Sequence, residues 1–312
     1  MNIRQGNLLR KGDRIGITAP AGPASEEKLH QGTSAIKKLG FQLKVGRTCY
    51  QNEGGYLAGP PEMRANELNQ MFADPTIAAI FCLRGGYGSM QILPFLDFDL
   101  IKHNPKMLIG YSDITALHIA LQQKSRLATI HGPMPASDLP AASEFTIQSL
   151  LKVLTNSDPI GQIENPPGEK IECLVPGKAE GILTGGNLAL ITSLLGTPFE
   201  IDTKGKILFL EEVGEEPYRI DRMLTQLALA GKFHDAEGIV LGSWTHCQSK
   251  HNPHSFQVQD LFHRIIAPFG KPTIFNVKAG HCEPTLTLPM GVPAILHASE
   301  GNLTYFNQQS RL

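Results

Sequence analysis

An excess of charge of either sign is missing from this chain. Its 312 residues carry 28 basic and 29 acidic side chains, a formal net charge of −1. Nucleic acid and anionic membrane surfaces call for a clear basic excess, so neither is expected as a partner. No apolar run approaches the roughly 18 residues of a spanning helix. The opening stretch "MNIRQGNLLRKGDRIGITAP" lacks the apolar core, about 7–15 residues long, of a secretory signal. The five cysteines, Cys49, Cys82, Cys173, Cys247 and Cys282, are odd in number and never spaced as C-x-x-C. That argues against a disulfide framework or a zinc knuckle. A reducing cytoplasm is expected, with the thiols mostly buried as small apolar groups. There is no Gly-Lys-Ser/Thr of a Walker loop and no H-E-x-x-H, so neither a nucleotide cofactor nor a metal is expected.

What is present is core-forming material: 41% hydrophobic against 18% charged residues, enough for two medium domains of a globular protein. Through the first half, apolar runs alternate with helical patterns. "RIGITAP" (14–20), "FQLKVG" (41–46), "IAAIFCLRGG" (77–86), "KMLIGYS" (106–112) and "LATIHG" (127–132) read as strands. Between them lie "EEKLHQGTSAIKKLG", with Ser25 placed to cap it, and "EMRANELNQMFAD", preceded by Pro60-Pro61 and turning Leu68, Met71 and Phe72 inward. Strands without apolar/polar alternation, separated by helices, imply a parallel sheet covered on both faces.

From about 156 to 180 the composition turns to Pro, Gly and polar residues, which reads as a linker. Beyond it come "KILFLEEV", "GIVLGSW", "PTIFNV", "AILHA" and "LTYF", with good helices expected only at 218–231 and 255–270. The expected class is therefore α/β. A Rossmann-like parallel-sheet domain (1–155) is joined by a linker (156–180) to a smaller, mixed, barrel-like domain (181–312).

Open α/β sheets place ligands at the carboxyl ends of their strands. "RGGYG" (84–88), "GYSD" (110–113) and "HGPM" (131–134) all fall at such ends. Gly110-Tyr111-Ser112 enters a helical pattern directly from a strand, the setting of a nucleophile turn. The plainer reading is that Ser112 caps the helix, and the second glycine of G-x-S-x-G is replaced by Ile114. Adjacent Gly85 and Gly86 offer N–H groups for close approach to a ligand, or simply make a tight turn. A serine nucleophile needs a base, and the base an orienting carboxylate. His30, His246, His251 and His254 sit in polar stretches. His281, after "KAG", follows a strand and opens a polar loop, which suits a cleft edge. Glu211 and Glu212 end an apolar strand, where charge requires partners. Alternation points them to opposite faces, and the pattern alone does not choose between them.

The strings "RGGYGS", "GYSDITALH", "LFLEEVGEEPYRIDRML" and "AGHCEPTLTLPMG", in that order, resemble the LD-carboxypeptidase family of serine peptidases, the muramoyl-tetrapeptide and microcin-immunity-type group. The likeness runs from "RIGITAPAGP" to "LTLPMGVPAIL", nearly the whole chain. It implies a Ser-Glu-His triad: Ser112 as nucleophile, Glu211 as orienting acid because it is the first carboxylate after the "LFL" strand, and His281 as base. It implies an oxyanion hole from the backbone N–H groups of Gly86 and Asp113. It also implies two domains that share the triad, and a homodimer. Arg84 and Gly85 are candidates for holding the substrate, Arg84 for its terminal carboxylate. The activity so implied is removal of terminal D-Ala from muropeptide tetrapeptides in peptidoglycan recycling, through an acyl-enzyme and without a cofactor. An immunity-type peptidase acting on an aminoacyl-nucleotide antibiotic keeps the triad but needs an aromatic platform for the base, and Trp244 is the only tryptophan. A non-catalytic muropeptide-binding protein would not need all three triad residues.

Overall fold

The computed structural model describes residues 3–158, 160–250 and 252–306. Two compact units divide the chain: residues 1–157 with 287–291, and residues 158–286 with 292–312.

The first unit is built on β1 (Arg14–Thr18), β2 (Gln42–Val45), β3 (Ala79–Cys82), β4 (Met107–Gly110) and β5 (Thr129–His131). They pair in parallel in the order β5-β4-β3-β1-β2. Every residue of β3 and β4 is buried, so these central strands have no polar side to alternate with. The helix Glu26–Lys38 begins where Ser25 Oγ accepts from Lys28 N at 3.3 Å, and it buries Leu29, Gly32 and Ile36. The helix Pro61–Ala73 starts on a proline, which lacks an N–H that the first turn does not use, and it buries Arg64, Ala65, Leu68, Met71 and Phe72. Sheet order reverses at β1, so β1 and β3 flank a switch point. The loop after β3 is the glycine-rich "RGGYG".

The second unit holds β6 (Gly161–Gln162), β7 (Glu172–Val175), β8 (Lys178–Asn187), β9 (Lys206–Val213), β10 (Gly238–Thr245) and β11 (Thr273–Phe275). Next in the chain, β12 (Leu288–Met290) belongs to the first unit and pairs antiparallel with β5; β13 (Pro293–His297) and β14 (Asn302–Tyr305) complete the second. The second sheet runs β6-β14-β13-β8-β9-β10-β11-β7. Its centre, β8 to β11, is parallel, and its flanks are antiparallel. The mixed, β-rich character matches expectation. Hydrogen-bonded closure into a barrel is not seen among the described residues, where β6 and β7 stand as the two ends.

Three sequence expectations need correction. The stretch 156–180 is more than a linker, because it contains β6, β7 and the start of β8. Edge strands are short and largely exposed, so their polar, Pro/Gly-rich sequence imitates a connector. Residues 287–291 return to the first unit as the strand β12, so the domains are not two uninterrupted blocks. The helix expected at 255–270 is broken into an α turn (Val258–Leu261), a π turn (Phe262–Ile266) and a 3₁₀ turn (Ala267–Phe269). Pro268 lacks the N–H that would continue an α-helical ladder there. Of the cysteines, Cys49, Cys82 and Cys247 are buried, Cys282 is half-buried and Cys173 is exposed.

Candidate active site

In the first unit, the ends of β3 and β4 supply the candidate residues. After β4 the chain turns sharply, and Ser112 takes φ +63°, in the left-handed region that a non-glycine residue avoids. The turn that follows is 3₁₀ at Ser112–Ile114, α-helical at Thr115–Ala120 and π at Leu121–Ser125. The cap position belongs to Tyr111, with no side-chain capping bond, so Ser112 is not the N-cap that the plainer reading made it. A serine held in a strained strand-to-helix turn is the geometry of a nucleophile elbow.

The turn is fixed from beneath. His118, fully buried, hydrogen-bonds through Nε2 to the Gly110 carbonyl at 2.8 Å, and Gly132 N donates to the same oxygen at 3.2 Å. Burial lowers the His118 imidazole to about 4. The ring is therefore neutral at physiological pH, and its Nε2–H serves as the donor. A Cβ on Gly110 would stand 3.1 Å from Cys82 Cβ, which is why the bend takes a glycine.

The glycine loop after β3 lies against Ser112. A Cβ on Gly85 would fall 3.0 Å from Ser112 Cβ, 3.1 Å from its Oγ and 3.3 Å from Asp113 N. Only a bare glycine backbone leaves that space open. Gly86, at φ +101°, is exposed just beyond it. Arg84, half-buried, donates from Nη1 to the Pro23 carbonyl at 2.9 Å and forms no ion pair among the described residues.

In the second unit, Asn187, Glu211, Glu212 and Ser243 to Thr245 share the carboxyl edge of parallel strands. Glu211 is fully buried. Its Oε2 accepts from His281 Nδ1 at 2.7 Å and from His281 N at 3.2 Å. The imidazole is thereby oriented through Nδ1, the arrangement in which a carboxylate fixes a histidine's tautomer. Thr245 Oγ1 donates to the His281 carbonyl at 2.5 Å. Gly280, at φ +111°, has room for no side chain: a Cβ there would lie 2.5 Å from Glu211 Oε2 and 2.8 Å from Ser243 Oγ.

Glu212 has a different set of partners. It accepts from Asn187 Nδ2 (2.9 Å), Ala189 N (2.9 Å) and Val213 N (2.8 Å), tying β9 to the start of the helix Leu188–Ser193. Burial raises its carboxyl to about 7. The two glutamates that the pattern could not rank therefore differ in kind, one bound to an imidazole and the other to a helix start.

Sequence reasoning missed Arg64, Ser89 and the Asp113 side chain. Arg64 had a signal: it lies four residues before Leu68 on the face of its helix that is buried. Trp244 lines a cavity of about 250 Å³ in the second unit together with Phe262, Phe275 and Lys278, and meets Phe262 edge-on at 5.1 Å. His30, His246 and His254 are exposed, and His251 lies outside the described residues. No cluster able to hold a metal ion occurs among the described residues, and no helix there is long and apolar enough to cross a membrane.

Profiles of the LD-carboxypeptidase N-terminal and C-terminal domains match residues 15–132 and 180–296. The chain belongs to the LD-carboxypeptidase family. It is 42% identical over 294 residues to a probable murein peptide carboxypeptidase of Bacillus subtilis (strain 168), covering 94% of this chain and 91% of that one. Among solved structures, muramoyltetrapeptide carboxypeptidase from Oxalobacter formigenes matches with a TM-score of 0.83 at 26% identity, over 93% of this chain and 97% of that one. MccF in complex with glutamyl sulfamoyl guanosine matches with a TM-score of 0.89 at 26% identity, over 97% and 98%. The Glu211–His281 pair and the Ser112 turn fall at the motifs by which the sequence resembled this LD-carboxypeptidase family.

Proposed function

We propose that this member of the LD-carboxypeptidase family is a serine carboxypeptidase that removes the terminal D-Ala of muropeptide tetrapeptides, cutting between an L-centre and D-Ala. The observation that carries this reading is the buried Glu211 carboxylate on His281 Nδ1 at 2.7 Å, the arrangement in which a carboxylate orients the histidine base of a serine nucleophile. Ser112 attacks the scissile carbonyl carbon while His281 takes its proton. Glu211 holds the imidazole and stabilises the imidazolium so formed. The N–H groups of Gly86 and Asp113 receive the developing oxyanion. The tetrahedral species collapses, D-Ala leaves with the proton from His281, and the acyl group stays on Ser112 until water, deprotonated by His281, releases it. Arg84, whose guanidinium forms no ion pair among the described residues, serves in this reading to receive the D-Ala carboxylate.

The reading includes a cytoplasmic location and a homodimer, in keeping with recycling of small internal peptides. The test is mass-spectrometric detection of D-Ala released from a defined tetrapeptide, with an aminoacyl sulfamoyl nucleotide as the competing substrate. Wild type is expected to cleave the tetrapeptide. Ser112→Ala is expected to lose about 10⁶ in kcat, as removal of a triad serine does, while staying folded. Cleavage of the nucleotide conjugate alone would transfer the function to the immunity type. Retention of a tenth of the activity by Ser112→Ala would remove the serine from the mechanism.

A further inference from the structure

The carboxylate beside the nucleophile has a use that its backbone does not explain. Asp113 is 2% exposed, and a carboxylate that deeply buried requires hydrogen-bond donors. Its donors come from the glycine loop rather than from its own helix. Ser89 N donates to Asp113 Oδ2 at 2.8 Å, and Ser89 Oγ donates to the Asp113 main-chain oxygen at 2.5 Å. From the other side, the fully buried Arg64 reaches the same loop. Its Nη1 donates to Gly88 O at 2.8 Å and to Pro20 O at 2.6 Å, its Nε to Gly59 O at 2.8 Å, and its Nη2 to Gln91 Oε1 at 2.7 Å. The glycine loop that runs into these two clamps, at positions 88 and 89, contains Gly86 (φ +101°) and Gly88 (φ +121°), which have no side chains of their own to hold them. It is the loop whose Gly85 backbone packs on Ser112.

We propose that the Asp113 carboxylate and the Arg64 guanidinium are positioning residues that set the Gly85–Gly86 backbone at the distance from Ser112 that oxyanion stabilisation requires. This rests on the reading of Ser112 as nucleophile. Asp113 then serves twice: its N–H faces the oxyanion, and its side chain fixes the loop that carries the second donor. A contact realised only in the transition state lowers kcat when it is lost and leaves KM nearly unchanged. An anchor that merely held the fold together would show itself in melting temperature instead.

The test uses two readouts on the full chain: steady-state tetrapeptide hydrolysis, and the second-order rate at which a fluorophosphonate probe labels Ser112. The probe depends on nucleophile and oxyanion donors but not on the peptide substrate. In Asp113→Asn an NH₂ group meets backbone N–H donors. Its kcat and labelling rate are expected to fall about 10- to 100-fold, a part of the roughly 10²–10³ that loss of a whole donor costs, with KM within threefold and melting within a few degrees. Arg64→Lys, which keeps the charge but not the fork of donors, is expected to show the same split more weakly and stands in if Asp113→Asn does not fold. Labelling and kcat within threefold of wild type in a folded variant would overturn the positioning role alone. A wild type that is neither labelled nor active overturns the serine reading, and this inference with it.

Discussion

A methyl group at position 85 would sit on Ser112, the proposed nucleophile. Its carbon would lie 3.0 Å from Ser112 Cβ and 3.1 Å from Oγ, several tenths of an ångström inside ordinary contact, and 3.3 Å from Asp113 N. Gly85 itself is not in the left-handed region, so alanine there meets no backbone penalty of its own. The neighbours have little freedom to yield. Ser112 is already at φ +63°, the strand end before it is held by His118 on the Gly110 carbonyl, and Asp113 after it is held by Ser89. Overpacking of this kind costs about 1–3 kcal/mol of stability. The effect on chemistry is larger. On the proposed mechanism the methyl shields the hydroxyl and the Asp113 N–H together, and losing one oxyanion donor alone costs roughly 2.7–4 kcal/mol of transition-state stabilisation, or about 10²–10³ in kcat. Gly85→Ala is therefore expected to purify as a folded protein with a modestly lowered melting temperature and a kcat reduced at least about 100-fold. The assay is D-Ala release from a tetrapeptide, alongside a thermal melt. A kcat within threefold of wild type would mean that the space between Gly85 and Ser112 is not where the reaction takes place.

Glu211→Gln is expected to lower kcat by about 10³–10⁴, because an amide neither fixes the required tautomer nor stabilises imidazolium; Glu212→Gln should lower it far less, and kinetics ranking them the other way would move the role to Glu212. Glu212→Gln turns an NH₂ toward the N–H donors of Asn187, Ala189 or Val213, so a denaturant titration should show a loss of about 1–3 kcal/mol. The Glu212 carboxyl is lifted by burial from 4.5 to about 7, so between those values the folded chain binds more proton than the unfolded one. Its contribution is fully present below about pH 4.5 and is lost as pH rises through about 7, a fall of about 3 kcal/mol. Stability measured across that window should lose this slope in Glu212→Gln, and an unchanged slope would assign it to another group. Gly280→Ala places a Cβ 2.5 Å from Glu211 Oε2 in a left-handed backbone, so both activity and melting temperature should drop; a fully active variant would show that the Glu211–His281 bond does not depend on this close packing.

The parallel sheet of the first unit was legible in the amino-acid order, because unbroken apolar runs such as "AIFC" and "MLIG" are stable only when both faces are covered. Ser25 and Pro61 marked helix starts legibly, since capping and first-turn chemistry are local. Placement of Ser112 at a strand-to-helix joint was equally local. The edge strands β6 and β7 were not legible, because half-exposed backbone pairing leaves no apolar pattern, and the return of residues 287–291 to the first sheet is a fact of topology with no local trace. The choice between Glu211 and Glu212 shows the divide most sharply. Alternation put them on opposite faces, and family likeness favoured Glu211. Only tertiary structure showed that one carboxylate meets His281, 70 residues away, while the other meets Asn187 and backbone N–H groups. Hydrogen-bond partners far apart in the chain are set by the packing of whole strands, and no window of sequence contains both ends of such a bond. The Asp113–Ser89 and Arg64–Gly88 bonds that clamp the glycine loop are invisible to a linear reading for the same reason.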